Sequence, residues 1–264
     1  MTVPAPENLA HLAAALYRAR RERKPCPPLT QTAPGLTLAD AYRISEINHF
    51  ERLKEPGVKP VGKKIGLTSK AVQKQLSVYE PDYGYLTSDM LVMDGATAPI
   101  GELIQPRAEG EVAFVLKTDL IGPGITSQQV AAAIDHAVVC IEIIDSRVAD
   151  WKIKIQDTIA DNASSAMFVL GARKIPVKDI DLRLAGMTLW KNGEVESSGC
   201  GAACLNHPFN AVAWLANAMA KHAVPLRAGD ILLSGAYGPV VPVKAGDQVE
   251  VEIKGLGRVS CRFQ

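Results

Sequence analysis

Glu109 and Glu111 stand two apart in RAEGEVAFVLKT, residues 107 to 118. A strand there projects both carboxylates to one face, with their Cα atoms about 6 to 7 Å apart. Like charges so placed repel one another unless a cation sits between them. Glu142 falls inside VVCIEII, a run that otherwise asks for full burial, and an unpaired buried carboxylate is costly or takes up a proton. Three strand carboxylates with no histidine beside them make a hard oxygen ligand set, suited to Mg²⁺ or Mn²⁺ and unsuited to zinc. Lys64 poses the complementary question: followed by Ile65-Gly66-Leu67, it is set to be buried in an extended strand, and a buried ammonium needs a partner. Two blander readings stand beside this one. An E-x-E pair also suits the solvated face of a half-exposed sheet, and Glu142 could pair with Arg147 or Arg107. The acidic EPD step (80–82) and the polar run DTIADNASSA (157–166) favour a site.

These side chains must be positioned by a sheet-rich body. RAEGEVAFVLKT is the clearest strand, DHAVVCIEIID (135–145) and ASSAMFVLGAR (163–173) are two more, and GMTLWKNGEVES (186–197) is a hairpin turning at Asn192-Gly193. LNHPFNAVAWLANAMAKHAV (205–224) has helical spacing with Pro208 near its first turn, and the tail returns to strands about a KGLG turn. Ahead of this body, residues 7 to 23 carry apolar positions at helical spacing, and KPCPPLTQTAPG breaks the pattern. A second helix is expected after Thr37, capped by TLAD and running towards Lys54. The expected architecture is therefore α+β: an N-terminal helical extension (1–60) and a β-rich catalytic domain (61–264) without repeats.

Composition narrows the function classes. With 264 residues, 47% hydrophobic, 22% charged and a net charge of +1, the chain can bury a large core and offers no electrostatic case for nucleic acid or an anionic membrane. Its densest cationic stretch, RARRERK (18–24), reads as a solvated helix end. No window approaches the roughly 20 apolar residues of a membrane span, and MTVPAPENLA lacks signal-peptide order. Five scattered cysteines, among them a CxxxC pair without a ligand set, fit a reducing, cytoplasmic setting. GCGAAC (199–204) lacks a βαβ frame, and neither a GxSxG elbow nor a phosphate loop occurs.

KIGLTSKAVQKQL, EPDYG, the E-x-E strand, IEIIDSRVADW, DTIADNASS and LSGAYGPVVPV, in this order, resemble the 2-keto-4-pentenoate (2-hydroxypenta-2,4-dienoate) hydratases of meta-cleavage aromatic degradation, within the fumarylacetoacetate hydrolase-like superfamily. The resemblance runs from Val61 to the end and, more loosely, through the N-terminal helices. It implies a mixed β-sandwich or β-roll, an oligomer, and a divalent metal on Glu109, Glu111 and Glu142. It also places the active-site lysine at Lys64, the acid near the site at Asp82 and the motif serine at Ser164. Thr68, Ser165 and Gly235 complete the expected set as substrate-binding positions. Where relatives often read EAE, this chain reads EGE.

The chemistry implied is hydration of a small 2-hydroxy-dienoate, with Lys64 and Asp82 handling charge and protons. The 4-oxalocrotonate decarboxylases share the lysine, acids and DNAS, but commonly close with a TGGIT-like segment, where this chain has SGAYGP (234–239). Hydratases of the longer oxohept-4-ene-dioate tend to carry an insertion between the DSR-like and DNA-like motifs that VADWKIKIQ lacks. A different class of reading is a non-catalytic subunit that stabilises a decarboxylase partner; the intact acids and lysine argue against it.

Overall fold

The computed structural model describes residues 6–264. The first five positions of the expected extension, and with them the start of the segment read for a signal peptide, lie outside the described residues. Three helices come first: α1 (Pro6–Glu22), the one-turn α2 (Leu29–Thr32) and α3 (Leu38–Arg52). The expected cap of α3 is formed. Thr37 Oγ1 accepts from Asp40 N–H, and Asp40 Oδ2 accepts from Thr37 N–H, both at 3.1 Å. That reciprocal pair satisfies donors the helix leaves open.

The body follows as β1 (Pro60–Gly66), α4 (Lys70–Leu76), β2 (Asp82–Thr87), β3 (Leu91–Val92), β4 (Thr97–Ala98), β5 (Arg107–Leu116), α5 (Ser127–Ala133) and β6 (Ile134–Ile144). It continues with α6 (Ile155–Ala160), β7 (Ser165–Leu170), β8 (Gly186–Lys191), β9 (Glu194–Cys200), α7 (Pro208–Ala220), β10 (Ile231–Leu233), β11 (Val241–Pro242), β12 (Gln248–Ile253) and β13 (Gly257–Phe263). The expected hairpin is β8–β9, with φ of 55° at Asn192 and 87° at Gly193, the left-handed pair such a turn needs.

Two sheets result. An eight-stranded mixed sheet runs β2-β1-β10-β5-β6-β7-β3 with β11 added beside β5, and a five-stranded sheet runs β4-β13-β12-β8-β9. Alternation along the central strands assigns their faces. Val112, Phe114, Ile141, Ile143 and Val169 point towards Met187, Leu189, Val249 and Val251 of the second sheet and form the inter-sheet core. Gly110 lies in that contact: a Cβ there would come within 2.9 Å of Met187 Sδ and Val251 Cγ1, so the inter-sheet packing leaves little room for an EAE sequence. The opposite face carries Lys64, Glu109, Glu111 and Glu142. It is covered by α4, α6 and the N-terminal helices, whose Leu12, Leu16, Leu29 and Ile44 share a hydrophobic cluster with Leu67, Val72, Ile144, Ile159 and Ala236. The helical extension is thus packed over the sheet face that bears the acids.

Candidate metal and substrate site

The β5–β6 register sets Glu109 directly opposite Glu142, and Glu111 lies one repeat further along the same face. Each offers one carboxylate oxygen within 4.8 Å of the others, and the side chains are 4%, 0% and 0% exposed. Lys64, on β1 and 2% exposed, supplies the cation: its Nζ lies 3.3 Å from Glu142 Oε1 and donates to the Ala163 carbonyl at 3.0 Å. Glu142 therefore pairs with Lys64 and not with either arginine weighed from sequence. Arg147 is engaged with Asp161, Nε to Oδ1 at 2.5 Å, and Arg107 stacks on Trp151.

Burial lowers the Lys64 pKa, but Glu142, Glu109, Asp82 and Glu111 outweigh it, raise the pKa above its ordinary value and hold the ammonium charged. The acids feel the converse. Burial first, then the neighbouring Glu142, pushes Glu109 up to about 8, and the same causes push Glu111 well above the usual carboxylate range. One ammonium cannot neutralise three carboxylates. Glu111 Oε1 and Glu142 Oε2, both buried, have no hydrogen-bond donor, and Glu142 Oε1 has only the Lys64 ammonium at 3.3 Å. Orphaned anionic oxygens in a converging, all-carboxylate set fit a hard divalent cation.

Around the acids the structure brings together most of the expected residues. Asp82 sits across β1–β2 from Gly66, buried, with Thr158 Oγ1 of α6 donating to its Oδ2 at 2.9 Å. Burial raises the Asp82 pKa, with the Lys64 charge opposing. Gly235 donates its N–H to Glu111 Oε2 at 2.8 Å, and its φ of 101° and the 2.0 Å approach of Thr68 Oγ1 to an added Cβ leave room only for glycine. Lys64, Thr68, Asp82, Glu109 and Ser164 line a cavity of about 20 Å³ together with Leu67, Val72, Leu76, Ile144, Trp151 and Ala236. The Ser164 hydroxyl has no hydrogen-bond partner. Ser165 lies apart: it lines a larger cavity, about 530 Å³, on the other side of the same turn. That larger space holds the ion pairs Arg52–Asp89 and Arg147–Asp161, whereas Glu109 of the acid set and Lys64 line the smaller one.

Sequence reasoning missed the frame behind Ser164. Asn162, Ala163 and Ser164 all take left-handed φ (57°, 51° and 53°), a conformation costing about 1 to 2 kcal/mol per residue. The Asn162 side chain holds the turn by accepting from Tyr85 N–H at 2.7 Å and donating to Tyr85 O at 3.0 Å. That bracket aims the Ala163 carbonyl at Lys64. Thr158 was missed as well, because its partner Asp82 is 76 positions away.

The fumarylacetoacetate hydrolase C-terminal family model matches residues 57–264. The chain belongs to that family. Among curated members it is 49% identical over 251 residues to 2-hydroxyhexa-2,4-dienoate hydratase of Comamonas testosteroni, covering 94% of each chain. It is 48% identical over 259 residues to 2-keto-4-pentenoate hydratase of Paraburkholderia xenovorans strain LB400, covering 98% of this chain and 96% of that one. Among solved members of the fold, 4-oxalocrotonate decarboxylase from Pseudomonas putida G7, complexed with magnesium and adipate, superposes over 100% of both chains with a TM-score of 0.94 and 38% identity. Fold and N-terminal helices are thus common to hydratase and decarboxylase, and the site must separate them.

Proposed function

We propose that this chain is a hydro-lyase that adds water to 2-hydroxypenta-2,4-dienoate, giving 4-hydroxy-2-oxopentanoate, in the meta-cleavage degradation of aromatic compounds. The observation that carries the reading is the buried set of Glu109, Glu111 and Glu142 with Lys64 beside it, in a chain nearly half identical to curated hydratases. Glu109, Glu111 and Glu142 would hold Mg²⁺ or Mn²⁺. When bound, the ion supplies Lewis acidity towards the C1 carboxylate and C2 oxygen of the acid.

The remaining residues handle protons and position. Ketonisation removes the C2 hydroxyl proton and places one on C5; the conjugated alkene then takes the hydroxyl of water at C4 and a proton at C3. Asp82, driven towards its protonated form by burial, holds the proton for C5. Lys64, kept charged by its acidic neighbours, offsets charge that accumulates at the C2 oxygen. Ser164, with a free buried hydroxyl, and Thr68 orient water and the acid's polar end. Gly235 acts through its N–H on Glu111, and Ser165 acts from outside the small cavity, its carbonyl accepting from Arg147 at 3.1 Å. The apolar wall of Leu67, Leu76 and Trp151 suits the hydrocarbon end of the substrate.

The whole-length likeness to a decarboxylase makes release of carbon dioxide from 2-oxohex-3-enedioate the second reading. Purified, metal-loaded protein given this diacid and the dienoate in parallel separates the two. Gain of water by the dienoate alone, abolished by chelator, supports the hydratase; carbon dioxide from the diacid overturns it. Silence on both points to a non-catalytic subunit of a decarboxylase complex. We further assign the chain to the cytoplasm, its five cysteines all being free, as a homo-oligomer able to associate with 4-oxalocrotonate decarboxylase. No helix among the described residues is long and apolar enough to cross a membrane.

A further inference from the structure

Arg107 opens β5 two residues before Glu109, and so shares the sheet face of Glu109 and Glu111. The β5–β6 register sets it opposite Ile144, which lines the small cavity with Trp151. Its guanidinium lies 4.4 Å from the Trp151 ring centroid, and the indole N–H donates to Gln105 O at 3.1 Å, fixing the ring against which the arginine stacks. The side chain is half-buried and, among the described residues, forms no ion pair and no hydrogen bond. Arg147 shows the contrast, its guanidinium engaged by Asp161 and by the carbonyls of Asp145 and Ser165. Stacking orients a guanidinium while leaving its edge donors free, and that edge matches a carboxylate.

Charge gives the free donor a purpose. Lys64 is the ammonium set among Glu109, Glu111, Glu142 and Asp82, and those acids engage its charge, so the unpaired guanidinium stacked on Trp151 of the cavity wall is the cation left for an entering organic acid. We propose that Arg107 is the residue that recruits the substrate carboxylate to the site, which makes it a specificity determinant for acids over their neutral analogues. The assignment rests on the reading above that the substrate is a small organic acid. Arg107 acts on binding and stays out of the proton transfers of Asp82.

Steady-state kinetics on 2-hydroxypenta-2,4-dienoate with the wild type, Arg107→Gln and Arg107→Lys test this, together with calorimetric binding of oxalate, a non-reacting acid, to each magnesium-loaded protein. Arg107→Gln should raise KM about 10- to 100-fold, the loss of one charge-assisted contact, with kcat within about threefold of the wild type. It should weaken oxalate to a similar degree and flatten the fall of kcat/KM with ionic strength. Arg107→Lys, which keeps the charge and loses the planar fork, should recover the ionic-strength dependence and part of the affinity. An Arg107→Gln protein that turns over the dienoate with unchanged KM and unchanged oxalate affinity overturns the role. Arg107-dependent oxalate affinity in a wild type that leaves the dienoate untouched instead overturns the hydration reading and upholds Arg107 as an acid-binding residue.

Discussion

Glu111 joins two requirements in one side chain: one oxygen fixed by the Gly235 N–H at 2.8 Å, the other buried without a donor. Glutamine in its place keeps the first contact and removes the charge that repels Glu109 and Glu142. Glu111→Gln should therefore fold, melt at or above the wild-type temperature without metal, and lose more than about 100-fold in magnesium affinity and turnover. Titration calorimetry and thermal melts check both halves; unchanged magnesium affinity would remove Glu111 from the ligand set. At this scale the sequence was informative about residue types and silent about partners. Three acids and a lysine in apolar strands could be read as a buried charge set because each is costly alone. Which cation met Glu142 could not, since Lys64, Arg107 and Arg147 all stood on candidate strands or their ends, and only the β1–β10–β5–β6 order decides it.

At the scale of elements, the site hangs on a segment that sequence left without structure. β5, β6 and the β8–β9 hairpin were legible from β-type runs and an Asn-Gly turn. α6 was not, because its buried positions are Asp157, Thr158, Ile159 and Ala160, and two polar residues facing inwards erase the apolar periodicity by which helices are recognised. Those two residues have long-range partners. Asp157 accepts from Thr30 N–H and Oγ1 of α2, and Thr158 holds Asp82 on β2. The helix is thereby registered between the N-terminal extension and the strand bearing the acid. Thr158→Val keeps the shape and deletes only the hydroxyl. It should lower kcat about tenfold with KM little changed, and move the Asp82-dependent limb of the pH profile upward, because the lost donor favoured the carboxylate. The groups facing Asp82 from other elements, Lys64 of β1, Glu142 of β6 and Tyr42 of α3, stay in place. Thr158→Ser retains the hydroxyl and should restore both values. A valine variant with wild-type kinetics would show that the bond serves only packing.

For the whole molecule, the sequence suggested a helical extension ahead of a β-rich body, and said nothing of the cluster they share over the acid face, since that cluster draws on segments scattered along the chain, from Leu12 to Ala236. The consequence is a protein whose stability is tied to its charge set. Glu109, raised to about 8, and Glu111, raised well above the usual carboxylate range, hold protons in the folded chain at pH values where unfolded carboxylates, near 4.5, have released them. Between these limits the folded state binds more protons than the unfolded one, so stability must fall as pH rises. Metal-free protein should show a melting temperature that declines steadily from about pH 5 to pH 8. Saturating Mg²⁺, which binds only the deprotonated acids of the folded chain, should reverse the slope and stabilise most at the upper end. Glu111→Gln should flatten the metal-free decline and abolish the magnesium effect. Parallel melts across this range, with chelator and with Mg²⁺, provide the check. Coincident curves at every pH would mean that the three carboxylates do not act as one cation-requiring set.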